Sequence, residues 1–203
     1  QAGRYGRNLM GNGSIMINTG MLLATPLLVW LALPGRFSFP LALAVCLVPL
    51  FYLLQTAPSV KKTIVYGIGA GIVLHLLQLY WIVSVLQQYG GLPYYFAVPA
   101  MLLLCVYMSF YPALFAVGFY YLHRSFIALL IGAPALWVCL DWLRSWLFGG
   151  FPWMDIGYGL WSYPLLLQGV DLVGHYGLTF IVVLINTVVF TLMQSRGSAV
   201  QRT

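Results

Sequence analysis

Long apolar runs, parted by short joints of Gly, Pro and polar residues, set the pattern of this chain. Six can be drawn: Ile15–Leu33, Phe37–Gln55, Thr63–Leu86, Phe96–Leu122, Phe126–Leu147 and Tyr176–Met193. None shows the alternation of a half-buried strand, so helices are predicted rather than a barrel. A run of 19 residues at ~1.5 Å per residue covers about 28 Å, close to the ~30 Å hydrocarbon core of a bilayer. The runs of 24 and 27 residues must tilt, kink or protrude. Lipid offers no partner to backbone N–H and C=O groups, which is why a spanning segment satisfies them internally as a helix. Pro99, Pro112 and Pro134 fall inside runs and predict kinks. Gly67 and Gly71 have the GxxxG spacing that lets two helices approach closely. Residues 1–14 and 194–203 are polar and are expected to be flexible flanks of a membrane domain over 15–193.

Composition sharpens the class. Charged residues make up 6% of the chain, against roughly 25% in an average soluble domain. Hydrophobic residues make up 62%, and the mean hydropathy is +0.93. That leaves too little polar surface to coat a soluble globule. The expected fold is therefore an all-α integral membrane protein: a polytopic bundle of about six transmembrane helices with a Gly/Trp/Pro-rich outer loop. The formal charge of +6 does not point to nucleic acid, because the basic residues are scattered singly apart from Lys61-Lys62. Cys46, Cys105 and Cys139 lie alone in apolar runs, without the paired spacing of a metal site or disulfide framework. They are expected to pack as small apolar groups, and no metal or cofactor is expected. The chain begins with Gln1 and carries no recognisable signal peptide, so it is expected to be a piece of a longer protein.

Charge distribution predicts orientation. With a cytoplasmic N-terminus, the cytoplasmic segments hold Arg4, Arg7, Lys61, Lys62, Arg124, Arg196 and Arg202, seven of the nine basic residues. Arg36 and Arg144 remain outside, together with all three acids. This is the positive-inside pattern, with both ends of the chain cytoplasmic. The segments 87–95 and 148–175 then face outward.

Candidate chemistry gathers on that outer side. Trp137, Asp141 and Arg144 follow i, i+4, i+7 spacing on the fifth run and share a face. Two readings stand for Arg144. It snorkels to the interface and pairs with Asp141 to fix the helix end, or it meets a lipid phosphate or docks a polar domain. Beyond it, residues 149–164 have no helical period, and their glycines and prolines demand turns. Trp142, Trp146, Trp153 and Trp161 suit an interfacial aromatic belt. A belt does not account for the order Phe151-Pro152-Trp153 followed by Gly157-Tyr158 in a long loop, and such loops commonly carry function. On the third run His75, Gln78, Trp81, Ser84 and Gln88 form a polar stripe ending at Tyr89-Gly90-Gly91. Polar side chains within a span face the bundle interior or a water-filled cavity. No Ser-His-Asp, HExxH or CxxC arrangement occurs.

The stretch "APALWVCLDWLRSWLFGGFPWMDIGY", from Ala133 to Tyr158, resembles the fifth-helix signature of the apolipoprotein N-acyltransferase family. That signature runs Ala-Pro-Ala-Leu-Trp, an acid and an arginine three apart, Gly-Phe-Pro-Trp, then Gly-Tyr. Trp81 followed by Tyr89-Gly90-Gly91 and Pro93 is a second match, and "DLVGHYGLTFIVVLIN", from Asp171 to Asn186, a third and weaker one. The resemblance covers roughly residues 20–193. Asp141 stands where the family more often has glutamate.

The resemblance implies a ping-pong acyl transfer in a bacterial inner membrane, with the active side facing the periplasm. A cysteine thiolate takes an acyl chain from phospholipid and passes it to the N-terminal amine of a diacylated lipoprotein. The family's Glu-Lys-Cys set lies in a nitrilase-like domain after its seventh helix, and residues 194–203 match none of it. No catalytic residue is carried over, and this chain alone is expected to transfer no acyl group. Trp81, Tyr89, Gly90, Gly91, Asp141, Arg144, Phe151, Pro152, Trp153 and Tyr158 are the expected lipid-cleft residues. The competing expectation is a membrane module that binds lipid or partner helices without chemistry. A transporter is disfavoured because no paired broken helices or inverted repeat is visible.

Overall fold

The computed structural model describes the backbone of residues 2–35 and 37–200, and the side chains of residues 16–35 and 37–195. The side chains of Arg4, Arg7, Arg36, Arg196 and Arg202, on which much of the charge asymmetry rests, lie outside the described residues, as do those of the polar flank 1–14. Among the described residues eight α-helices follow in order: α1 (Ala2–Ala32), α2 (Val48–Gln55), α3 (Val60–Leu79), α4 (Ile82–Gln88), α5 (Tyr94–Leu122), α6 (Phe126–Arg144), α7 (Pro164–Leu167) and α8 (Val170–Val200). Short 3-10 turns occupy Pro40–Ala44, Leu147–Gly149 and Ile156–Leu160. No strand occurs among the described residues.

Among these residues, four helices are long and apolar enough to cross a membrane: α3, α5, α6 and the Val170–Ser195 part of α8. The other two predicted runs appear as shorter apolar helices, Met16–Ala32 and Pro40–Gln55. The protein is thus an all-α, polytopic membrane protein. Serine caps open two spans. Ser59 accepts from the Lys62 N–H at 3.4 Å and Ser125 from the Ala128 N–H at 3.5 Å, each satisfying an orphan first-turn donor. The helices α5 and α6 run through Pro99, Pro112 and Pro134.

Two predicted runs are broken, for different physical reasons. In Phe37–Gln55, Pro40 and Pro49 each sit in a first helical turn, where their missing N–H is tolerated and their rings exclude a preceding turn. The chain therefore makes a 3-10 turn, loosens over Val45–Leu47 and restarts as α2. The amides freed by the break find side chains. Asn186 Oδ1 accepts from the Leu47 N–H at 2.8 Å, and Thr25 Oγ1 accepts from the Leu50 N–H at 3.0 Å. In Thr63–Leu86 the helix ends at Leu79. The Trp81 indole N–H donates to the Gln78 carbonyl at 2.8 Å and so takes the acceptor that the Ile82 amide would use in a continuous helix.

Close packing holds the bundle. The GxxxG prediction is realised where α3 lies on α5: a methyl group at Gly67 would come within 2.6 Å of the Ala113 Cα. Phe51 of α2 fills the centre, with ring centroids 4.9 Å from Phe119, 5.9 Å from Phe115 and 5.7 Å from Phe190. All four rings are fully buried, so this cluster ties α2 and α8 to α5. α8 is not one straight rod. Gly174 adopts φ 66°, ψ 180°, and the continuous span starts just beyond it, near the predicted Tyr176.

Candidate functional site

The last turn of α6 places Asp141 and Arg144 on one face, and their side chains meet at 2.9 Å. The pair is buried inside the bundle rather than exposed at the helix end. Asp141 is 6% exposed and Arg144 7% exposed. A second carboxylate explains the difference. Asp155, itself 1% exposed, ion-pairs with the same Arg144 guanidinium from the loop beyond. Its other oxygen, Oδ2, lies 3.1 Å from His175 Nε2 at the kinked start of α8. A chain of four ionisable groups, Asp141–Arg144–Asp155–His175, therefore joins α6, the loop and α8. Charge is cheap to bury only when paired and hydrogen-bonded. Two polar atoms of the pair on α6, Asp141 Oδ2 and Arg144 Nε, are buried without a hydrogen-bond partner.

The loop that delivers Asp155 is folded rather than structureless. The Phe151 N–H donates to the Arg144 carbonyl at 3.0 Å, closing the end of α6. Gly150 sits at φ 73°, where a methyl group would also come within 2.0 Å of the Ser145 carbonyl oxygen, so only glycine fits. Further on, the Gly157 N–H donates to Thr179 Oγ1 at 3.3 Å, and a methyl there would stand 2.8 Å from that oxygen. The order Gly150-Phe151-Pro152-Trp153 … Gly157-Tyr158 thus encodes a strap held at both ends. Tyr158 stacks on the His175 ring at 5.6 Å with planes 9° apart. Burial pushes the Tyr158 phenol above its ordinary pKa, with the Asp155 carboxylate adding to the effect.

Part of the polar stripe on α3 reaches this place. His75 is 2% exposed and its Nδ1 lies 2.7 Å from the Gly71 carbonyl, so Nδ1 carries the proton and donates. Nε2 is left as an acceptor. His75, Gln78, Tyr111, Asp141, Arg144 and Asp155 line a cavity of about 40 Å³, with Trp137 in its wall. Trp137 packs edge-on against Phe115 at 4.8 Å, on the face predicted for it. Next to this cavity lies a pocket of about 410 Å³ with Trp30, Phe37, Tyr80, Trp81 and Trp153 in its walls. Gln78 and Met154 line both spaces. Trp81, freed by the α3–α4 break, meets Trp153 at a centroid distance of 4.8 Å, and Phe151 stacks behind Trp153 at 6.2 Å.

Of the residues singled out from sequence, Trp81, Asp141, Arg144, Phe151 and Trp153 come together here. Pro152 is exposed within the strap, and Tyr158 lies at its far end on His175. Tyr89, Gly90 and Gly91 form the exposed joint between α4 and α5 and line neither space. Ser84 and Gln88, past the break, are exposed as well. Sequence reasoning missed Asp155 as the second partner of Arg144, and His175 as the partner of Asp155. The available signal was an acid standing alone in an apolar, aromatic loop, which has to find a counter-charge when the loop folds down. Among the described residues no group of three or more His, Cys, Asp or Glu side chains is placed to hold a metal ion.

Fold and site define a class first: a polytopic helical membrane protein with an aromatic pocket and a buried ion cluster side by side at one end of its bundle. Residues 25–188 match the apolipoprotein N-acyltransferase N-terminal domain, and the chain belongs to that family. It is similar to apolipoprotein N-acyltransferases of Geobacter metallireducens (36% identity over 137 residues, 66% of this chain and 26% of that protein), Photobacterium profundum (33% over 152 residues, 74% and 29%) and Chromobacterium violaceum (32% over 163 residues, 73% and 31%). The matched region spans 26% to 31% of the length of these relatives.

Proposed function

We propose that this chain is the membrane platform of an apolipoprotein N-acyltransferase, holding lipid for transfer of an acyl chain from phospholipid to the N-terminal amine of a diacylated lipoprotein. In that reaction a thiolate attacks the ester carbonyl, releasing lysophospholipid and forming a thioester. The amine then attacks the thioester, giving an amide and returning the thiol. Both substrates are lipid-anchored, so confining them beside the catalytic group supplies proximity. The observation that carries the reading is the pocket of about 410 Å³ walled by Trp30, Phe37, Trp81 and Trp153. Its volume is that of a small-molecule site, and its lining is mostly apolar with few polar groups.

Among the described residues no cysteine is set up as a nucleophile. Cys46 and Cys105 are buried, donating to the Leu43 carbonyl and to the Met101 sulfur, and Cys139 is exposed along α6. None is paired with a base that would generate a thiolate. We infer that these residues alone bind lipid and transfer no acyl group. The excess of basic residues on the opposite side supports a periplasm-facing pocket in a bacterial inner membrane, with both ends of the chain cytoplasmic.

Photo-crosslinking tests the reading. The chain is reconstituted in nanodiscs holding a phospholipid with a photoactivatable group near its ester, and the labelled peptides are mapped by mass spectrometry. Adducts are expected on the Trp30–Phe37, Trp81 and Trp153 peptides, and at least tenfold fewer at the Trp153 strap in Trp81→Ala. Uniform labelling along the outer faces of α5 and α6, unchanged by that substitution, would refute a lipid pocket. In a full-length relative carrying this platform, Trp153→Ala is expected to lower turnover while the protein stays folded. Normal turnover there would leave the alternative, a lipid-binding module without chemistry.

A further inference from the structure

The end of the bundle away from the pocket carries a second arrangement, which the fold assembles from separate joints. α6 runs 19 residues from that end to Arg144, so the two ends stand about 28 Å apart at ~1.5 Å per residue. Lys61 and Lys62 open α3, Arg124 lies in the joint between α5 and α6, and all three are exposed. Helix register makes them neighbours. A methyl group at Gly67 would meet the Ala113 Cα at 2.6 Å, and one at Gly71 the Ser109 Cα at 2.9 Å, so each step forward on α3 is a step back on α5. Continued to the start of α3, that register sets Val60 level with Tyr120. Aromatic rings hold the cations there. The Arg124 guanidinium lies over Tyr120 at 5.3 Å and Tyr121 at 5.9 Å, and Lys62 Nζ lies over Tyr66 at 5.1 Å.

The side-chain carboxylates of the chain stand at the other end: Asp141 in the last turn of α6, Asp155 in the strap and Asp171 in the first turn of α8. The three cations therefore need an anion from outside the protein. Both α3 and α6 begin here, and the positive end of each helix dipole adds to the potential. The surroundings decide what kind of anion fits. Val65, Tyr121, Phe126 and Ile127, within a helical turn of the cations, are 57%, 57%, 63% and 70% exposed. A hydrated soluble anion leaves that apolar rim bare, whereas an anion carrying hydrocarbon chains covers it. We propose that Lys61, Lys62 and Arg124 form a site for the phosphate of an anionic phospholipid, in the leaflet opposite the aromatic pocket. The guanidinium donates to phosphate oxygens through its in-plane N–H groups, which a ring face leaves free, and the two ammonium groups supply further charge. A phosphatidylcholine headgroup fits worse, because its own quaternary ammonium already balances the phosphate. The site shares no residue with the aromatic pocket and does not depend on the acyl-transfer reading.

Native mass spectrometry tests the site on the whole chain, released from phosphatidylcholine nanodiscs that hold a graded fraction of phosphatidylglycerol. Retention of phosphatidylglycerol as a saturable adduct, well above its share of the lipid, is the expected result. Its apparent affinity should fall about fivefold for each charge removed, hence roughly 25-fold in Lys61→Gln/Lys62→Gln. Arg124→Lys, which keeps the charge, should lose less than Arg124→Gln. The substituted side chains are exposed, so the unfolding midpoint in pure phosphatidylcholine should hold within about 2 °C. Unchanged affinity in Lys61→Gln/Lys62→Gln/Arg124→Gln overturns the proposal. So does an equal loss in Arg202→Gln, which removes one charge from the tail and would reduce the effect to net charge. Glycerol 3-phosphate keeps a phosphate without the chains and should not compete. Displacement of phosphatidylglycerol by an equal concentration of it would assign the cations to a soluble anion and likewise overturn the site. Lipid crosslinking at the Trp81 and Trp153 peptides is expected to be unchanged in these variants, so failure here is distinguished from failure of the lipid pocket.

Discussion

Replacing Arg144 by methionine tests whether the ion cluster is one balanced unit. The substitution keeps an unbranched apolar stem of similar reach and removes the guanidinium shared by Asp141 and Asp155, which are 6% and 1% exposed. Removing one partner of a buried pair costs about 3–5 kcal/mol because an uncompensated charge is left behind. Here two carboxylates are left, so the upper part of that range applies. A chain of this size loses roughly 2–4 °C of unfolding midpoint per kcal/mol, so about 4–5 kcal/mol predicts a fall of about 8–20 °C in nanodiscs. Asp155→Asn is gentler, because Arg144 keeps Asp141 at 2.9 Å and that pair is neutral. The double variant Arg144→Met/Asp155→Asn should be more stable than the sum of the single effects implies, with a coupling of about 0.5–3 kcal/mol. An exposed helix-end pair would be worth only ~0.2–1 kcal/mol. A fall below about 2 °C for Arg144→Met, or strict additivity in the double variant, would refute the shared-cation argument.

Three further outcomes follow from the packing. Asn186→Leu strips the Leu47 N–H of its side-chain partner and leaves the Leu43 carbonyl only the weak Cys46 thiol donor. It should cost about 1–3 kcal/mol per unsatisfied group and speed hydrogen exchange at Leu47, and unchanged protection there would count against the tether. Gly67→Ala should destabilise, because its methyl group meets the α5 backbone at 2.6 Å, whereas Gly20→Ala, with nothing within 4 Å, should be neutral or stabilising by up to about 1 kcal/mol. Equal unfolding midpoints for the two variants would contradict the helix contact. Cysteines placed at Phe148 and Ser59 test orientation in sealed vesicles. An impermeant reagent should reach Phe148→Cys from the periplasmic side and Ser59→Cys only from the cytoplasmic side, and the reverse would invert the topology.

The long helices were legible because lipid imposes one requirement on every span. The predicted starts at Phe96 and Phe126 fall within two residues of α5 and on the first residue of α6. The i, i+3 spacing of Asp141 and Arg144 was likewise readable, since a helix makes those positions neighbours. The break before α2 was not, because its freed amides are satisfied from Thr25 and Asn186, far away in sequence. Nor was the break after Leu79: an unbroken apolar pattern does not announce that Trp81 will bond the carbonyl of Gln78. Arg144 was expected at the interface for a related reason. Its second carboxylate arrives through a turn whose Gly150 and Met154 adopt left-handed backbone angles that no hydrophobic periodicity encodes.

The strap from Phe151 to Gly157 is bonded to the end of α6 at one side and to Thr179 of α8 at the other, with Asp155 locked to Arg144 between them. Trp153 is therefore carried on a segment tied to two spans rather than on a free loop. Trp81, across the pocket, hangs from the end of a third. Two walls of the pocket therefore depend on three spans, α3, α6 and α8, meeting at one place.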